Sequence, residues 1–420
     1  MNEVVVSIDI GSSKVCTILG ELNKNNQLQI LGVGTSECKG LKKGIIVDID
    51  DSAKAVKNSI EQAERMSGME IKSAFINIAG GQTTLISNKG VIAVSGDDRE
   101  ITAEDVERVM QEVSVVNIPI DREVIGVIPL QFMVDGYENI KDPIGMIGVR
   151  LEVHASVITA ASASIQNLVR SVERCDITVA GIIIDPIATA EVILTKDEKE
   201  LGVALVDIGG EITDISIFKG VNLVYTKLIP IGGTYITNDI SFGLKIPGAE
   251  AEMLKRQYGY AAVKLLKSVE DIPVSSTGIG QDRKVTNQEL IDIIEARVQE
   301  ICYLVNKELE ISGLKNTISG GIVITGGGLS FIKGSVETAS SIFGKPVRVG
   351  APHFIGVASP VYSTATGIVK YVLSSEKAGI KSKYTFDNEN KAKSAIIKRH
   401  TSDKNRKVVN KIKEFFTDFF

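Results

Sequence analysis

Apolar residues fall into two rhythms along this 420-residue chain. Short continuous apolar runs, each closed by a small-residue turn, predict strands at SAFINIAG (73–80), REVIGVIPLQFMVDG (122–136), VRLEVHASVITA (149–160) and IVIT (322–325). Between them lie amphipathic stretches with start and stop signals. Residues 48–68 open on an Asp/Ser cap and close on Gly68, residues 101–114 carry Thr102 with Asp105 three positions on, and residues 286–313 begin with a Thr–Glu box. Strands and helices mixed in this way predict α/β domains.

One pattern occurs twice. VVSIDIGSSKVCTILGE (5–21) and VALVDIGGEITDISIFK (203–219) share an apolar strand, Asp-Ile-Gly, a small-residue turn and a second apolar strand. Their aspartates, Asp9 and Asp207, stand 198 positions apart, the spacing of two duplicated domains; a solenoid would repeat every ~20–50 residues. Each unit reads as a β-hairpin. A third glycine cluster, GGIVITGGGLSFIKG (320–334), predicts a strand, the turn Gly326–Gly328 and a helix starting at Leu329–Phe331. That geometry brings backbone N–H groups close to a phosphate.

Composition narrows the setting. Hydrophobic content of 44% with 24% charged residues is that of a folded globular chain. Four cysteines with no CxxC and three scattered histidines argue against a disulfide framework or a His/Cys metal centre, and fit a reducing cytoplasm. The opening MNEVVVSIDIGSS lacks the basic segment of a signal peptide, and no apolar run approaches the ~20 residues of a spanning helix. Charge is unevenly spread. Residues 376–420 hold twelve Lys/Arg against six Asp/Glu, a net of +6 that leaves −11 for residues 1–375. A basic tail on an acidic body points to a tail that meets an anionic surface, and nothing points to nucleic acid.

Two Asp-Ile-Gly turns facing one another across a cleft would form a clamp for a Mg–nucleotide. Gly11, Ser12, Ser13 and Lys14 on one side and Gly209 and Gly210 on the other offer amides and a cation to phosphates. Asp9 and Asp207 would hold Mg²⁺, chiefly through its waters, because this ion dehydrates reluctantly. Thr213 and Asp214 are placed to orient an attacking water. Either turn alone reads as readily as an ordinary β-turn; duplication and the third glycine turn favour the clamp. No GxxxxGK[ST] segment occurs, which excludes a P-loop enzyme.

This constellation resembles the actin, sugar kinase and heat-shock chaperone superfamily, with phosphate motifs at 9–20 and 207–220 and an adenosine motif at 324–334. Within it, VIGVIPLQFMVDGYENIKDPIGMIGVRLEVHASVITA (124–160) and IPGAEAEMLKRQYG (246–259) resemble the FtsA family of bacterial cell-division proteins. The resemblance implies an actin-like two-domain fold with duplicated ATP-binding halves and ATP with Mg²⁺ as cofactor. It places subdomain 1A at 1–82, 163–190 and 345–375, an FtsA-type extra subdomain 1C at 83–162, 2A at 191–229 and 310–344, and 2B at 230–309. It also implies that Glu252 and Lys255, which are three apart on one helix face, contact the nucleoside; a solvated ion pair is the alternative. Gly326, Gly327 and Gly328 would pass close to the adenosine. Asp185, in DPIATAE, stands where relatives place a water-activating group, or else caps a helix at Ile187–Leu194. Binding of ATP is the firmer expectation; turnover is expected to be weak or absent.

The family's role is to polymerise and to tether the FtsZ ring to the cytoplasmic face of the cell membrane at the division site. It implies contact with the FtsZ C-terminal tail through 2B, with Arg283 and Lys284 as candidate cations, and with later division proteins through 83–162. Residues 376–403 read as a flexible linker. In residues 404–420, with ~100° per residue, Val408, Val409, Ile412, Phe415, Phe416, Phe419 and Phe420 share an arc of roughly 140°. Lys411 and Lys413 flank it, the layout of an amphipathic helix lying in an anionic membrane interface. The competing reading is an actin-fold metabolic kinase acting on a small molecule, which has no use for such a tail.

Overall fold

The computed structural model describes residues 3–275, 283–377 and 397–398. Two sheets built to one plan carry the fold. In the first, Leu28–Glu37, Lys14–Leu22 and Glu3–Ile10 form an antiparallel meander, and Ser73–Ile78 and Thr178–Ile184 extend it in parallel. In the second, Asn222–Ile229, Thr213–Lys219 and Val203–Ile208 form the meander, with Ile322–Thr325 and Val347–Val349 added in parallel. The expected duplication is therefore one of topology, strand for strand. The hairpin registers correspond too: Ile10 faces Val15 in one and Ile208 faces Thr213 in the other.

Helices cover the sheets because their apolar stripes match. Ile49–Ser67 starts where the Asp48 carboxylate accepts the Asp51 N–H at 2.9 Å and ends at Gly68 in the left-handed region. It buries Ala53, Val56, Ile60 and Ala63 at helical spacing; Val56 and Ile60 each contribute about 1.5–3 kcal/mol by leaving water. The second lobe is organised by Asn287–Ile311, capped by Thr286 and Glu289, which buries Leu290, Ile294, Val298, Ile301, Val305 and Leu309. Inserted into the first lobe is a separate four-stranded antiparallel sheet, Thr83–Ala93, Arg150–Ala161, Arg122–Val134 and Tyr137–Ile140. Helix Ala103–Ser114 covers it through Val109 and Val113, and the Thr102–Asp105 capping box is formed.

Three expectations need correction. Val347–Val349 pairs with Ile322–Ile324, so residues from 345 to about 350 belong with the second lobe; the chain returns to the first only with Ser363–Lys377. The helix after the triple glycine begins at Ser335, not Leu329, because Gly326–Ile332 coil through a longer turn and Gly334, at φ 84°, sets the entry. Within 376–403, the last helix runs to Lys377, and Ile397–Lys398 pairs with Glu3 and Val4 on the first strand, so these residues are not linker. The rest of that stretch, and the amphipathic segment 404–420, lie outside the described residues.

Helix Ser363–Lys377 packs on Asp185–Ile193 and holds that helix against the cleft. Their approach is closest at Gly367, where an added Cβ would lie 2.0 Å from the Ala188 carbonyl oxygen. Gly367→Ala should therefore destabilise the protein by about 1–3 kcal/mol through overpacking, read as a lower urea midpoint at unchanged slope. An unchanged midpoint would show that the two helices can part freely.

Candidate functional site

The two hairpin turns close in the same way. The Gly11 N–H donates to the Lys14 carbonyl at 3.0 Å, and the Gly209 N–H to the Ile212 carbonyl at 2.9 Å. They also abut: a Cβ on Gly210 would fall 1.8 Å from Ser13 Oγ. The third turn docks on the second, the Gly328 N–H donating to the Ile208 carbonyl at 2.7 Å. Between them lies a cavity of about 1040 Å³. The expected phosphate-binding residues Gly11, Ser12, Ser13, Lys14, Gly209 and Gly210 line it, as do Gly326, Gly327 and Gly328. Asp9, Asp185, Asp207, Glu252 and Lys255 also line it.

Acidic groups dominate its floor. Asp9, Asp185, Asp207 and Asp214 come from three strand ends and one helix start. Burial raises Asp9 to about 6 against the opposing pull of Lys14. Burial, followed by the charges of Asp9 and Asp214, raises Asp207 to about 7. Asp214 rises to about 7 through burial, held back by the N–H groups of Gly81 and Gly80. Burial and three neighbouring carboxylates push Asp185 well above the usual carboxylate range. Lys14 is the cation among them; its Nζ donates to the Val361 carbonyl at 2.5 Å and lies 4.6 Å above the Tyr362 ring.

Asp185 does not cap its helix. It is the first residue of Asp185–Ile193, makes no side-chain cap, and its buried Oδ1 has no hydrogen-bond partner. Asn77 holds its side chain by a hydrogen bond and anchors the first turn by accepting the Ile10 N–H on Oδ1 at 2.7 Å. Sequence reasoning missed Asn77, whose signal was a lone amide inside an apolar strand. Thr213 is a correction. It is fully buried and its hydroxyl donates to the Ile231 carbonyl at 2.8 Å, so it takes part in core packing and has no hydroxyl to offer the cavity. Asp214, next in the chain, lines the cavity instead.

At one side of the cavity, Gly248–Tyr258 presents Glu252 and Lys255 together. Lys255 Nζ lies 2.6 Å from Glu252 Oε2 and donates to Thr237 Oγ1 at 2.8 Å and to the Gly233 carbonyl at 3.1 Å. Arg256, also on the wall, pairs with Glu252 at 2.8 Å. These are charged groups already oriented toward the cavity and tied to the helix that starts at Gly233. Farther out, Lys284 pairs with Asp271 at 3.3 Å on an exposed hairpin.

A triphosphate with a divalent cation fits this chemistry: half-buried and buried carboxylates short of counter-charge, an orphaned carboxylate oxygen, and glycine-bearing backbone turns. Among the described residues, no group of three or more His, Cys, Asp or Glu assembles into a metal cage. Mg²⁺ needs none, since one or two carboxylates, waters and phosphate oxygens complete its shell.

Matches to known proteins cover most of the chain. The family described as Cell division protein FtsA matches residues 204–367, and the SHS2 domain inserted in FTSA matches residues 80–159. Cell division protein FtsA of Pseudomonas aeruginosa is 40% identical over 383 residues, covering 90% of this chain and 91% of that protein. The Bacillus subtilis protein is 42% identical over 370 residues, covering 88% and 83%. The chain belongs to the FtsA family of cell-division proteins. The inserted four-stranded sheet coincides with the stretch that matches the FtsA-specific SHS2 domain. Solved structures show the actin-like fold at far lower identity. The PilM-PilN type IV pilus biogenesis complex superposes with a TM-score of 0.60 at 14% identity, covering 88% of this chain and 98% of that one. MreB5 of Spiroplasma citri bound to ADP gives 0.55 at 16%, covering 90% and 98%.

The carboxylate cluster has a measurable signature. A carboxylate raised above its unfolded value favours folding at low pH, and that contribution is lost as pH rises through the folded value. For Asp207 the window runs from about 4 to about 7. Without nucleotide or divalent ion, Asp207→Asn should raise the melting temperature at pH 8 by about 2–4 °C or more, and by less at pH 5. Calorimetry at both values checks it; equal shifts, or a loss at pH 8, would contradict the electrostatic account.

Proposed function

We propose that this FtsA-family chain binds Mg–ATP in the cleft and acts as a peripheral membrane adaptor of the division ring, assembling on itself. The observation that carries the nucleotide reading is the convergence of three glycine turns and four carboxylates, Asp214 buried and the others half-buried, on one cavity. Asp9 and Asp207 would hold Mg²⁺ through its waters. The turns Gly11–Lys14 and Gly209–Gly210, through amides other than the Gly11 and Gly209 N–H groups that close them, would take the phosphates together with the Lys14 ammonium. Glu252 and Lys255 would meet the ribose, and Gly326–Gly328 would pass the adenosine. The bound cation would supply positive charge that offsets the carboxylates and the phosphates together. Asp185, aided by Asp214, is the group placed to orient a water. Its short side chain makes turnover slow, since ~1 Å of misplacement can cost ~10²-fold in rate.

The adaptor reading rests on residues 404–420. Seven apolar side chains on one face, flanked by Lys411 and Lys413, suit an anionic lipid surface. No helix among the described residues is long and apolar enough to cross a membrane. One such tail holds weakly, because folding it offsets most of the burial; an assembly of many tails holds firmly. The FtsZ C-terminal tail would dock on 230–309, and later division proteins on 83–162. The site of action would be the cytoplasmic face of the membrane at the septum.

Two measurements test these readings separately. Asp207→Ala should weaken Mg-dependent binding of a fluorescent ATP analogue by roughly tenfold or more, at least 1.4 kcal/mol; parental affinity would refute the clamp. Deleting 404–420, or changing Phe416→Glu, should release the protein from anionic liposomes in co-sedimentation while ATP binding survives. Electron microscopy of the parent on anionic monolayers with ATP should show filaments. Sedimentation unchanged by both alterations would sink the anchor.

A further inference from the structure

A small hairpin of the first lobe, Leu41–Lys42 with Ile45–Ile46, has no part in the site as described so far. Its two-residue turn, Lys43–Gly44, has both residues at positive φ, 49° and 80°, the geometry of a tight hairpin whose tip presents backbone groups outward. The Lys43 N–H donates to Glu211 Oε2 at 2.7 Å, a contact between residues 168 apart that joins the two lobes. The Gly44 carbonyl accepts from Gln82 Nε2 at 2.6 Å, a tie within the first lobe. Leu41, Gly44, Ile45 and Ile46 meanwhile form one wall of the cavity.

Glu211 is not a free-standing surface acid. It lies between Gly210, whose carbonyl accepts the Thr234 N–H at 2.8 Å, and Ile212, whose carbonyl accepts the Gly209 N–H at 2.9 Å. Its backbone is thus locked into the second phosphate turn, while its side chain holds a wall that belongs to the opposite lobe. We propose that the 41–46 hairpin is a gate on the cavity and that Glu211 is the latch that keeps it shut, setting how fast a bound phosphate-bearing ligand escapes. Any shift of the second turn on gain or loss of a terminal phosphate would move the latch with it. Gln82 serves as the fixed side of the gate. The proposal rests on the nucleotide reading for the identity of the cargo, and on Lys43, Glu211 and Gln82 for the device itself.

The test uses the full chain as parent, Glu211→Gln and Glu211→Ala. Hydrogen exchange without nucleotide reports on the Lys43 amide directly; stopped-flow displacement of a fluorescent Mg–ATP analogue reports on escape. Glu211→Ala should unprotect the 41–46 hairpin and speed release by roughly 2–12-fold, the fold-change of one lost hydrogen bond. Glu211→Gln keeps an acceptor and should fall between. Equal exchange in parent and Glu211→Ala would overturn the latch, whatever the nucleotide data; faster exchange with unchanged release would overturn the gate. A parent that binds no analogue would overturn the cargo and the nucleotide reading together, while the exchange measurement still decides the latch.

Discussion

Four carboxylates share one cleft, with Lys14 as the cation among them, and the fold is arranged around the strain of keeping them there. Burial alone disfavours each charge, and proximity adds to it for Asp185 and Asp207. Such a cluster persists only if the backbone carrying it cannot relax. Each aspartate therefore sits at the end of an element fixed elsewhere: Asp9 and Asp207 on central strands, Asp214 opposite Asp207 across the hairpin, Asp185 at a helix start. The layers behind them supply the restraint, through the central strand Glu3–Ile10 in one lobe and the long helix Asn287–Ile311 in the other.

Duplicated topology solves a geometric problem with little new structure. Two meanders of the same strand order, facing one another, bring equivalent turns together without either lobe needing a special loop. What differs is hung on the outside. The first lobe carries the inserted antiparallel sheet with its own small core, and the second carries the helix that presents Glu252 and Lys255. Beyond the shared Asp-Ile-Gly the turns have diverged, and where they touch Ser13 fills the space that Gly210 leaves empty.

Much of this was legible in one dimension. Asp-Ile-Gly repeated at a domain-sized interval announced the paired hairpins, and the Asp48, Thr102 and Thr286 caps marked three helix starts that the structure contains. These are local signals, set by hydrogen bonds within a few residues. Apart from the late helix start at Ser335, the misreadings depend on distant partners. Thr213 and Asp214 are adjacent polar residues on a strand, and only the position of Ile231 decides which one is consumed by the core. Val347–Val349 looked like part of the return to the first lobe because three short residues carry no mark of which sheet they join. Asn77 and Glu211 gain meaning only from what lies 67 and 168 positions away.

Two of the polar contacts that span the two lobes beside the cavity are weak. The Lys43–Glu211 bond is solvent-exposed, and the Gly81 N–H reaches Asp214 at a rather long 3.2 Å. Hydrogen bonds of this kind give about 0.5–1.5 kcal/mol net, whereas uncompensated carboxylates push the walls they belong to apart. The balance therefore tilts with the charge in the cleft. Protonation relieves the repulsion but offers nothing to grip. A cation carrying phosphates relieves it and also supplies acceptors for the amides of both turns, so that the same ligand removes the force that opens the cleft and adds one that closes it. On the nucleotide reading proposed above, a site built from stranded negative charge would make lobe closure depend on occupancy, and the rigidity of each sheet would favour a movement of whole lobes over a local rearrangement of side chains.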